Sequence, residues 1–81
     1  MNNLSKSITM KREKDFLRIK IMAELLKQFP DLKPKIASIT GKQFVYELER
    51  HDNYTYYSVG YTFDKAGNLI VNWESSELTM M

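Results

Sequence analysis

A few groupings of side chains in this 81-residue chain have the residue types for chemistry. His51, the one histidine, stands beside Asp52, and a carboxylate next to an imidazole is the orienting half of an acid–base device. The nucleophilic third group is missing: no serine sits in a strand-to-helix elbow pattern, and a triad needs three groups converging. The pair therefore reads as a solvated turn. Glu47 and Glu49 fall on one face of a strand, the arrangement of a two-carboxylate acid–base pair. Nothing in the sequence desolvates one more than the other, so neighbouring like charges on a wet face is the better reading. Asp64 and Asn68 offer oxygen ligands in one loop but lack the dense carboxylate spacing of a calcium loop. One histidine and no cysteine cannot build a closed zinc site within one chain. Gly41, Gly60 and Gly67 are too far apart to cradle a phosphate. No cofactor, no metal and no catalytic residue is expected, and the chain reads as non-enzymatic.

Binding is the remaining class, and charge and aromatic residues bear on it. The net charge of +2 is unevenly spread: residues 1–35 carry +5 and residues 36–81 carry −3. Lys11, Arg12, Lys14, Arg18 and Lys20 lie in the basic part and would neutralise several phosphates of a nucleic acid. Glu13, Asp15 and Glu24 interleave with them, so part of that charge is spent locally, as in a Lys20–Glu24 pair one helical turn apart. Tyr54 and Tyr56 could stack bases, but the face they occupy also carries Glu47, Glu49 and Glu74, which repel phosphates. Exposed aromatics with a polar rim match the composition of a protein interface instead. Val45, Glu47, Glu49, Tyr54, Tyr56 and Ile70 are thus the expected protein-binding residues. The basic helix residues are the alternative, nucleic-acid-binding set.

Those residues must be positioned by elements that the pattern of apolar residues makes legible. From Met10 to Phe29, Ile19, Met22, Leu26 and Phe29 recur at helical spacing, with Leu17, Ile21 and Leu25 in a second row. Thr9 is the expected N-cap, residues 1–9 are expected to be flexible, and Pro30 must end the helix. Together the two rows cover more of the helix than one contact surface requires, and Arg18 falls within that arc. The surplus admits a homodimer seam.

After the Pro30–Pro34 connector, Lys35–Thr40 fits either a strand or a short helix stopped at Gly41. Its β-branched residues favour the strand. Gln43–Arg50 alternates, with Phe44, Tyr46 and Leu48 on one side. His51-Asp52-Asn53 is the turn to a long strand, Tyr54–Phe63, whose apolar row is Tyr57, Val59, Tyr61 and Phe63. Asp64–Asn68 is a hairpin loop in which Gly67 supplies positive φ. Leu69, Val71 and Trp73 form the inward row of the last strand, and residues 75–81 are expected to be a tail that frays or tucks Leu78 and Met80 against the core.

The expected fold is α+β: a single domain over 10–74, one N-terminal amphipathic helix packed on a three- or four-stranded antiparallel meander. Composition is that of an ordinary globular domain, 43% hydrophobic and 27% charged. No segment approaches the length of a membrane span, and Met1–Lys6 lacks the apolar stretch of a signal peptide. A cytoplasmic protein with no membrane contact is expected. Its function would be that of a small protein-binding module, a regulator or inhibitor of a larger protein that is possible as a homodimer.

Overall fold

No glycine or proline interrupts the chain before Pro30, and the first element is accordingly one long helix. The computed structural model describes the backbone of residues 2–80 and the side chains of residues 15–80. Its elements are α1 (Asn2–Gln28), β1 (Lys35–Ile39), β2 (Gln43–Arg50), β3 (Asn53–Phe63) and β4 (Leu69–Thr79). The helix begins well before the expected cap: Thr9 lies inside it, and residues 2–8 hold no glycine or proline that would break it. At its other end Phe29 leaves the helix while still donating its N–H to Leu25 at 2.8 Å, and Pro30 prevents a further turn.

The four strands form an antiparallel meander in the order β1-β2-β3-β4, with α1 on one face. Residues 35–39 are a strand, as their β-branched content favours. The Thr40 side chain closes the turn into β2, accepting from the Gln43 N–H at 3.1 Å and donating to the Gln43 carbonyl at 3.0 Å. The Tyr61 hydroxyl donates to the Thr40 carbonyl at 2.6 Å, fastening this turn to β3. Before β1 begins, the connector already lies alongside β2, since the Glu49 N–H donates to the Leu32 carbonyl at 2.9 Å.

The inner face carries the core. Phe44, Tyr46, Leu48 and Val59 of the sheet are buried with Ile21 and Leu25 of the helix. Each such aliphatic side chain contributes about 1.5–3 kcal/mol by leaving water. Around them the aromatics interlock: Phe29 and Tyr57 stack on Tyr46 at 5.5 and 5.4 Å between centroids, and Trp73 meets Tyr46 edge-on at 5.7 Å. The buried Tyr46 hydroxyl pairs with the Ser76 hydroxyl at 2.9 Å, and burial pushes its pKa up. Leu17 joins Ile21 and Leu25 at this contact, with Met22 and Phe29 from the neighbouring row. Ile19 and Leu26 stay 64% and 49% exposed, beside the core stripe rather than in it.

The last strand is longer than its alternation implies. Gly60 faces Asn72 while Ser58 faces Glu77, so β4 carries three extra residues opposite Val59. This wide bulge hides the strand's continuation in the sequence. Ser75 repairs the ladder there: its hydroxyl accepts from the Gly60 N–H at 3.3 Å and donates to the Asn72 carbonyl at 2.8 Å. Residues 75–79 are therefore strand, not a loose tail. Leu78 and Met80 do not tuck inward: they are 69% and 94% exposed, because α1 ends short of that corner of the sheet.

His51 and Asp52 both have positive φ, 48° and 67°, and Arg50 pairs directly with Asn53. This is a two-residue turn of the type that matches strand twist and favours Asn-Gly. Side chains with a Cβ are strained in that conformation by about 1–2 kcal/mol each. Replacing His51→Asn together with Asp52→Gly is expected to stabilise the domain by about 1 kcal/mol, read as a higher urea midpoint with unchanged slope.

Candidate functional site: the outer sheet face

Alternation sends every second residue of the sheet away from the helix, and no element covers that side among the described residues. Register decides which outward side chains meet. Glu47 faces Tyr56, and Glu49 faces Tyr54. Lys35 faces Glu47 from β1, and Val45 lies in the next row between Ser38 and Ser58. The sequence-predicted residues Val45, Glu47, Glu49, Tyr54 and Tyr56 are thus brought into one patch. Ile70 is not part of it. It pairs with Thr62, six residues along β3 from Tyr56, which is about 20 Å in an extended strand.

The patch is internally bonded. The Tyr56 hydroxyl donates to Glu47 Oε1 at 2.9 Å. Glu49 receives Lys33 Nζ at 3.2 Å, with Tyr54 opposite it in the register. Lys33, with its chain in the left-handed region at φ 47°, was not among the expected residues. It precedes the strands, and only the path of the connector along β2 brings it to Glu49. The ammonium of Lys33, then the Tyr54 hydroxyl, holds the Glu49 carboxyl below the usual carboxylate range. The same bonds raise the Tyr54 and Tyr56 phenols, Glu49 acting on the first and Glu47 on the second. The Tyr56 ring is thereby fixed by its hydroxyl bond to β2, and Tyr54 beside it is 57% exposed.

The other groupings separate. His51 and Asp52 are exposed at the tip of the β2–β3 turn, where no hydroxyl nucleophile is bonded to them. Asp64 serves its own loop. It accepts from the N–H groups of Ala66 and Asn68 at 2.9 and 2.8 Å and from the Asn68 side-chain amide at 3.1 Å. Bonds from Asn68, backbone first, hold its carboxyl below the usual range. Among the described residues no three His, Asp or Glu side chains gather in a way that could hold a metal ion. A cleft of about 720 Å³ opens between Arg18 of α1 and the β1–β2 turn. Its hydroxyls are occupied: Thr40 is bonded within its turn and Tyr61 to the Thr40 carbonyl.

The basic residues do not form one surface among the described side chains. Arg18 and Lys20 lie about 160° apart around the helix. Lys20 places its ammonium 5.9 Å from the Phe63 ring centroid, a cation–π contact. Glu24 pairs with Lys27 at 3.6 Å and not with Lys20, because Phe63 draws Lys20 to the sheet side. Lys11, Arg12 and Lys14 lie outside the residues whose side chains are described.

Two carboxyls depressed by native contacts give the fold a pH dependence of definite sign. Such a group contributes stability that is present above its unfolded pKa and lost as pH falls through its folded pKa. Acidification below the carboxylate range is therefore expected to lower the urea midpoint. The double variant Glu49→Gln, Asp64→Asn should lose less than the parent between neutral and acid pH.

No helix among the described residues is long and apolar enough to cross a membrane. No family model, no curated protein and no solved structure matches the chain.

Proposed function

We propose that this protein is a non-enzymatic binding module that docks a larger protein on its outer sheet face and regulates or inhibits it. The observation that carries this reading is the patch of Glu47, Glu49, Tyr54 and Tyr56, uncovered by any other element among the described residues and held by a Tyr56–Glu47 hydrogen bond and a Lys33–Glu49 ion pair. Tyrosines give large contact area at small entropic cost when already fixed, and they are enriched where binding energy concentrates. Glu77 stands in the same outward row as Ser58 and Val45, so the face is acidic beyond the two paired carboxylates. A partner surface bearing lysine or arginine complements it. The absence of cysteine suits a reducing compartment such as the cytoplasm.

Affinity capture from the native cell after nuclease treatment tests the proposal. The parent protein is expected to retain a partner that the Tyr54→Ala, Tyr56→Ala variant loses by about 30-fold or more in affinity, the combined effect of two anchor residues. Far-ultraviolet circular dichroism should be unchanged. A retained ligand that disappears with nuclease and survives the tyrosine changes would point to the basic helix and nucleic acid instead.

A further inference from the structure

The two open edges of the sheet are complementary to each other. Edge strand β1 pairs only with β2, leaving one row of backbone groups free. Between this edge and the helix runs a groove of about 400 Å³ lined by Arg18, Ile19, Met22, Lys35 and Ile36. Its surface is apolar and its charged groups are cations. Neither Arg18 nor Lys35 forms an ion pair among the described residues.

At the opposite edge, the end of β4 also has a free side. There Leu78 and Met80 stand exposed; within the strand Leu78 lies on one face and Glu77 and Thr79 on the other. Leu78 faces Tyr57, so Leu78 points to the helix side of the sheet, and extending the strand by one residue on docking would bring Met80 to the same side. Glu77 faces Ser58 and points to the outer side, the side on which Lys35 faces Glu47.

We infer that a second copy of this chain docks its Glu77–Met80 segment along β1, continuing the sheet from one molecule to the next. Both faces then match at once. Leu78 and Met80 enter the groove against Ile19, Met22 and Ile36, and Glu77 comes beside Lys35. Strand addition of this kind takes affinity from main-chain hydrogen bonds and register from alternate side chains. Pairing of like edges is disfavoured by charge: β4 against β4 sets Glu77 near Glu77, and β1 against β1 sets Lys35 near Lys35. The contact is head-to-tail, so it adds molecules one after another and does not close at a dimer. It does not use Tyr54 or Tyr56.

Sedimentation velocity over a wide concentration range, at low and high salt, tests the inference with charge reversals. The parent chain is expected to show a weight-average mass that climbs with concentration and falls with salt. Lys35→Glu alone and Glu77→Lys alone should each weaken association roughly tenfold, one cross-strand attraction turned to repulsion. Mixed in equal amounts they should assemble, since each groove then meets a tail of opposite charge. The Tyr54→Ala, Tyr56→Ala variant should assemble as the parent does, which separates this contact from the outer-face reading. A parent chain that stays monomeric at every concentration in low salt, or single reversals that assemble like the parent, would overturn it.

Discussion

Phe44→Ala is expected to cost about 3–5 kcal/mol, enough to leave a domain of this size largely unfolded. Phe44 has no exposed surface, and it sits where three parts of the structure meet. On the sheet its ring contacts those of Tyr46 and Tyr61 at 5.9 and 6.0 Å, and Trp73 of β4 approaches edge-on at 6.3 Å. Neighbouring rings cannot collapse into the gap without leaving their own contacts, so the cavity term adds to the lost transfer energy. Urea unfolding followed by Trp73 fluorescence measures the loss. A variant within 1 kcal/mol of the parent, on the order of a surface change, would mean that the inner face is not the core.

Leu25→Asp tests the other half of the core and is expected to detach the helix. Leu25 is fully buried beside Ile21, and among the described residues no cation is bonded at that position to receive a carboxylate. Burying an unpaired charge costs several kcal/mol, or forces the group to stay protonated. The favourable alternative is for the helix to leave the sheet. An isolated helix with this many charged and β-branched residues is marginal in water, so release and melting should coincide. Far-ultraviolet helical signal should fall sharply at neutral pH and recover in part on acidification, as the aspartate is neutralised. The solvent-side change Leu26→Asp, one residue along, should leave the signal nearly intact, because Leu26 is half exposed.

That contrast also shows where the sequence was legible. Two apolar rows were visible on the helix, but spacing alone does not say which of their residues meet the sheet: Leu17, Ile21 and Leu25 do, with Met22 and Phe29, and Ile19 and Leu26 do not. Alternation identified β2, β3 and the start of β4 with their inner rows, because a half-buried strand has a period of two, and turn residues marked the two hairpins that join them; β1 rested on its β-branched content. Alternation failed further along β4, where three extra residues opposite Val59 put polar Ser75 and Ser76 into what looks like a tail. The helix start was misplaced because a good cap residue at Thr9 is not sufficient to begin a helix when the preceding residues also accept helical geometry.

The outer-face patch was legible in composition but not in arrangement. Alternation placed Glu47, Glu49, Tyr54 and Tyr56 on one side. Register, which no single strand encodes, joined each carboxylate to a tyrosine and removed Ile70 from the group. Lys33 was invisible for the same reason: its contact with Glu49 depends on the connector running beside β2 before β1 begins.

The central claim is that the outer sheet face is the surface a partner protein covers. Hydroxyl-radical footprinting of the free protein and of its complex with the captured partner measures this directly. Tyr54, more than half exposed, and Ile19, equally accessible on the helix, report on the two candidate faces in one experiment. Protection of Tyr54 and Tyr56 in the complex, with Ile19 still oxidised at the free rate, is the predicted result. Protection of Ile19 and Leu26 with Tyr54 unchanged would contradict it.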